Sequence, residues 1–105
     1  MGSPPLMPRK TRFSEESFGA TIERLMGERG LTYRGLAAKT GLSAGYLNHL
    51  VHGNRPVPSK EVVARLASGL GVEPEYFREY RLRVIADRLE EMPELVDRLY
   101  RRLAV

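Results

Sequence analysis

The 105-residue chain contains no cysteine. Neither a disulfide nor a thiolate-bound metal can therefore help hold its fold, which suits a reducing compartment. It also lacks a long apolar run. Leu6 and Met7 are flanked by three prolines, so no signal peptide is expected. No stretch approaches the ~20 consecutive apolar residues that span a bilayer. Period-two alternation of apolar and polar residues is missing too, which argues against strands. The most local absence is of acid. Residues 29–60 hold no Asp or Glu, although charged residues make up 29% of the chain. These absences predict a soluble, cytoplasmic, helical protein with no membrane partner and one strongly cationic side.

The composition is that of a single small domain with a modest core, at 42% hydrophobic residues. Net charge is +4, unevenly distributed. Residues 1–58 carry 8 Lys and Arg against 4 Asp and Glu, whereas residues 59–105 carry 9 of each. Within the acid-free segment lie Arg29, Arg34, Lys39, Arg55 and Lys60. A polyanion is the expected partner for such a surface.

Capping residues and apolar spacing divide the chain into helices. Residues 1–13 hold three prolines and no periodicity, and are expected to form a flexible arm whose Arg9, Lys10 and Arg12 could reach a phosphate backbone. Ser14 is placed to cap a first helix, with Glu15 and Glu16 in its first turn and Phe18, Ile22, Leu25 and Met26 on one face. Gly30 would end it. Thr32 caps a second helix over 33–40, and Ser43 caps a third over 44–52. Ser59 caps a fourth, which Gly69 or Gly71 closes. Pro74 opens a fifth, starting as a short turn that buries Tyr76 and Phe77. That helix runs on through Leu82, Ile85, Ala86, Leu89 and Met92. Pro93 begins a last helix bearing Leu95, Val96, Leu99, Tyr100 and Leu103.

The second and third helices meet at Gly41, the stretch KTGLSAGYLNHLVHGNR. Two short helices joined by a three-residue turn are a device for placing the second helix in the major groove of DNA. Gly41 tolerates the positive φ of such a turn. Ala37 permits close packing, and Leu36, Leu42, Leu47 and Leu50 anchor one side. The opposite side of the third helix, with Ala44, Gly45, Asn48, His49 and His52, carries no carboxylate to oppose phosphates.

Residues 18–72 resemble the Cro/C1-type (Xre) helix-turn-helix family. The resemblance rests on Leu36-Ala37, Gly41-Leu42-Ser43, Leu47, Leu50, Gly53, Arg55, Pro58 and Leu66-Ala67 at fixed offsets. It implies an all-α architecture: a five-helix lambda-repressor-like domain over 14–76, with additional C-terminal amphipathic helices over 77–105. It implies double-stranded DNA as partner, usually bound by a dimer that regulates transcription. Carried over by position, Ala44, Gly45, Tyr46, Asn48 and His49 would face bases. Tyr33, Arg34, Ser43, His52, Asn54 and Arg55 would contact phosphates. Ala44 and Gly45 depart from the Gln, Ser or Thr common at these positions in the family, and Tyr33 replaces a frequent Gln. Base reading would thus fall mainly on Asn48, His49 and Tyr46, with a larger electrostatic or shape-dependent share of affinity.

The expected function is a sequence-specific transcriptional regulator, a repressor acting as a homodimer on a palindromic operator and associated with the nucleoid when bound. The amphipathic stripes after Tyr76 exceed what a domain of this size needs, so they are assigned to dimerisation. Two alternatives use the same residues. One is an antitoxin whose C-terminal helices bind a toxin, and the other is a protein-interaction module that no longer binds DNA. No nucleophile–base pair, paired carboxylates or phosphate-cradling loop points to an enzyme or to a cofactor. His49 and His52 lie three apart on one helix but lack a third metal ligand.

Overall fold

A computed structural model describes residues 13–104 of the protein. The expected arm, with Arg9, Lys10 and Arg12, lies outside the described residues except for Phe13, which is exposed beneath the Arg81 guanidinium. Six α-helices follow, and no strand occurs among the described residues. They are α1 (Phe18–Arg29), α2 (Tyr33–Thr40), α3 (Ala44–Val51), α4 (Lys60–Leu70), α5 (Arg78–Leu89) and α6 (Pro93–Ala104), with a 3-10 turn at Pro74–Tyr76 before α5. None is long and apolar enough to cross a membrane.

The first helix starts later than the sequence suggests. Its N-cap is Ser17, whose hydroxyl accepts from the Ala20 N–H, and no acidic residue lies in its first turn. Ser14 is instead buried between α1 and the 3-10 turn. Its N–H donates to the Tyr76 carbonyl at 2.8 Å, and its hydroxyl meets that of Thr21 at 2.7 Å. The Thr21 hydroxyl donates to Ser17 O, so Ser14 supplies the proton between the two side chains. Glu16, freed from the helix, pairs with Arg24 at 2.7 Å. The reason for the shift is Phe18: starting the helix there puts its ring against Phe77, with centroids 5.4 Å apart.

The other starts agree with expectation. Thr32, Ser43 and Ser59 each accept a hydrogen bond from the N–H three residues on. α3 is one residue shorter than expected, with His52 as its C-cap. Gly71, not Gly69, ends α4. Tyr76 is half-buried rather than buried, because its hydroxyl reaches Arg24 at the surface.

Phe18, Ile22 and Leu25 of α1, Leu36 of α2, Leu47 and Leu50 of α3, and Val63, Leu66 and Leu70 of α4 close one core. The core does not stop at Tyr76, since Phe77 is fully buried and Tyr80 packs on it. Two glycines allow the helices to approach. A Cβ on Gly19 would lie 2.3 Å from the Val51 carbonyl oxygen, and one on Gly69 would lie 2.7 Å from Thr40 Cγ2. α5 and α6, by contrast, bury no residue.

Gly19→Ala should therefore force α1 away from α3 and cost about 1–3 kcal/mol. Gly27→Ala, on the same helix with nothing near its Cβ position, should gain up to about 1 kcal/mol. Urea denaturation of both variants checks the contrast, and equal effects would refute the close approach.

Candidate nucleic-acid interface

The turn between α2 and α3 is built by three residues. Gly41 takes φ 78°, the left-handed conformation in which a Cβ is unfavourable, and its N–H donates to Ala37 O. Thr40 is buried; its hydroxyl donates to Leu36 O at 2.8 Å and accepts from the Leu42 N–H at 3.2 Å. Arg65 of α4 donates from Nε and Nη2 to the Thr40 carbonyl, at 3.1 and 2.7 Å. A cation on the last carbonyl of α2 satisfies an acceptor the helix leaves open and complements its dipole.

With the turn fixed, Leu47 and Leu50 face the core and Leu42 is half-buried beside them. At 100° per residue, Gly45, Asn48, His49 and His52 then share an arc of about 100° on the opposite face. All four are exposed. Ala44 and Tyr46 lie at its edges and are half-buried, with Tyr46 packed against the core. Of the five residues expected to face bases, the structure thus presents Gly45, Asn48 and His49 openly, and Ala44 and Tyr46 only in part.

Of the residues expected at phosphates, Arg34, Ser43, His52, Asn54 and Arg55 are exposed, while Tyr33 is half-buried and packs on the core. Ser43 Oγ is occupied at the α3 N-terminus, accepting from the Tyr46 N–H at 3.1 Å. His52 Nδ1 donates to the Asn48 carbonyl at 2.9 Å, which turns its ring back along the helix. The loop after α3 folds onto it, with the Asn54 N–H on His49 O at 2.9 Å, so Asn54 and Arg55 begin at the helix end. Farther along, Arg83 of α5 donates to Val57 O at 3.0 Å.

The charges sort in the same sense. Arg24 binds Glu16, Tyr76 and Glu28, and its pKa is held above the ordinary arginine value, first by Glu16. Arg29 pairs with Glu28. Lys60 binds Asp87 of α5, and the carboxylate holds the Lys60 pKa above the ordinary lysine value. Among the described residues, Arg34, Lys39 and Arg55 form no ion pair. No three metal-ligating side chains gather among them either.

The family described as "Helix-turn-helix domain" matches residues 17–80. The chain belongs to that family. Proteins of Mycobacterium tuberculosis and Mycobacterium bovis, each named an uncharacterised HTH-type transcriptional regulator, are 39% identical over 83 residues, 79% of this chain and 31% of theirs. The HTH-type transcriptional repressor RghR of Bacillus subtilis is 37% identical over 60 residues, 57% of this chain and 44% of its own. The chain spans about a third of the mycobacterial proteins and less than half of the Bacillus one.

In this helix-turn-helix, Thr40 and Arg65 are the residues that sequence reasoning missed as builders of the turn. Thr40 reads as one more inward-facing helix residue. Arg65 is 25 positions from its acceptor, and no local pattern reports such a contact. Arg65→Ala and Ser43→Ala should each cost about 1 kcal/mol, the first by opening the α2 C-terminus and the second by uncapping α3. Amide exchange should localise the loss to residues 40–52; protection lost evenly over the domain would contradict this.

Proposed function

We propose that the protein is a sequence-specific duplex-DNA-binding transcriptional regulator that acts as a repressor, binding a palindromic operator as a homodimer. The observation that carries the reading is the exposed, carboxylate-free arc of α3, bearing Gly45, Asn48 and His49, beside three cations, Arg34, Lys39 and Arg55, that form no ion pair among the described residues. A helix held by Leu47 and Leu50 can present that arc to the major groove while α2 crosses the backbone. Asn48 and His49 read base edges, and Gly45 brings the α3 backbone close to them. Ala44 and Tyr46 contribute at the margin, Ala44 by contact with a thymine methyl. Arg34, Asn54 and Arg55, with Ser43, His52 and Tyr33, fix the register on phosphates.

The spacing from Leu36 to Ala67 supports the Cro/C1-type subgroup, and the Bacillus relative named a repressor supports the sign of regulation. The C-terminal helices supply the dimer, so that two copies of α3 lie about one DNA turn, ~34 Å, apart. With so few groups able to make bidentate base contacts, a large part of the affinity is electrostatic.

Fluorescence anisotropy on duplexes selected from a random pool tests this. Affinity should fall steeply with salt, and the selected sequences should be palindromic. No binding even at low salt would remove the reading. Arg55→Ala should weaken binding to all duplexes about equally and flatten the salt slope by about 1, whereas Asn48→Ala and His49→Ala should relax preference at particular base pairs. Loss of preference in Arg55→Ala with general affinity intact would overturn these roles.

A further inference from the structure

α6 buries none of its residues, and its main contact with the protein is the end of α5. An isolated helix of 12 residues is marginal in water. Yet α6 and the Met92 that precedes it share one continuous apolar face. Met92, Val96, Leu99 and Leu103 recur at steps of four, three and four, and the same rhythm runs back through α5 to Leu82. Apart from Phe13, every large apolar side chain exposed among the described residues lies on this run of chain, up to Leu103 at 81%. Such a face requires a cover.

Its charges say what kind. Residues 90–97 contain Glu90, Glu91, Glu94 and Asp97 and no base, whereas residues 98–102 contain Arg98, Arg101 and Arg102 and no acid. Of these, only Glu91 has an ion partner among the described residues, Arg88 at 3.7 Å. Acid at the start and base at the end suit the helix's own dipole, but the dipole leaves the apolar face uncovered. A second copy laid antiparallel covers it and sets each acidic end beside a basic end. A parallel copy would oppose acid to acid and base to base.

We propose that α6 pairs antiparallel with α6 of a second copy, about a twofold axis between Val96 and Leu99. The apolar face forms the seam, and the end charges fix the orientation. The pairing is isologous, since each helix gives and receives the same contacts. It rests on the homodimer reading through the C-terminal helices and adds which helix forms the seam and in which direction.

The absence of native cysteine makes orientation directly measurable. In the antiparallel pair, Leu103 of one copy lies near Met92 of the other, while the two Leu103 positions are about 16 Å apart, beyond disulfide reach. Met92→Cys and Leu103→Cys proteins are prepared separately in the full chain and checked for native helicity by circular dichroism. They are then oxidised alone and as a mixture. The expected result is a disulfide dimer in the mixture and none in either alone. Self-linked Leu103→Cys would mean a parallel pair and overturn the proposal. A stable dimer by sedimentation with no cross-link would place the interface elsewhere and also overturn it. A monomer at all concentrations would do so as well, pointing to a different protein as cover.

As a second measurement, Glu94→Arg with Asp97→Arg should weaken dimerisation at least tenfold, and adding Arg98→Glu with Arg101→Glu, the positions that face them across the axis, should restore it. Failure to restore would count against charge as the orienting element. DNA affinity is measured on the same samples. Retained duplex binding by a monomer would sink this pairing while leaving the DNA reading standing.

Discussion

The orientation of α3 depends on how two leucines seat in the core. Leu47 and Leu50 are fully buried, and burying each contributes roughly 1.5–3 kcal/mol. They fix which side of an eight-residue helix faces solvent. Rotating it by one residue would expose an anchor and bury Asn48 or His49 with no hydrogen-bond partner. The seat is deep because Gly19 has no side chain, so the α3 backbone rests almost directly on α1. The placement of α3 is then set from the other end, where Thr40, Gly41 and Arg65 determine how α2 hands over to α3.

The two halves of the chain handle burial and charge in opposite ways. Through Phe77, apolar residues close a core around α1–α4, and the exposed cations Arg34, Lys39 and Arg55 form no ion pair among the described residues. After Phe77 the charges nearly balance, with 7 Lys and Arg against 6 Asp and Glu, but apolar residues lie on the surface. One half satisfies its packing and leaves charge unpaired; the other nearly balances its charge and leaves apolar surface bare. On the proposed reading each imbalance is met by a different partner, polyanionic for the first and apolar for the second. The halves are not independent. Lys60 and Asp87, together with Arg83 and the Val57 carbonyl, tie α5 to the segment that follows α3.

Much of this was legible in the sequence because it depends on local chemistry. Thr32, Ser43 and Ser59 announce helix starts through hydroxyls that reach an N–H three residues on, and Gly41 announces its turn through backbone sterics. Leu47 and Leu50 are recognisable as anchors from helical spacing. Ser14 misled for a tertiary reason: a serine before two glutamates is a good cap, but pairing of Phe18 with Phe77, 59 positions apart, outweighs it. Tyr33 reads as a phosphate contact because a tyrosine's polar end says nothing of where its ring packs, and Tyr46 reads equally well as a base contact or as partly buried. Arg65 and Gly19 act across long sequence separations, through a hydrogen bond and a steric vacancy. Neither leaves a periodic or compositional trace.

The central claim is that the solvent-facing arc of α3 is the surface that meets a duplex. Its most direct test is a titration of the isotope-labelled protein with a mixed-sequence DNA duplex at low salt, followed by amide chemical shifts. The largest changes should fall at Gly45, Asn48, His49, Asn54 and Arg55, with α5 and α6 nearly silent. Changes centred on α5 and α6, or spread evenly with residues 44–55 unmoved, would contradict the account.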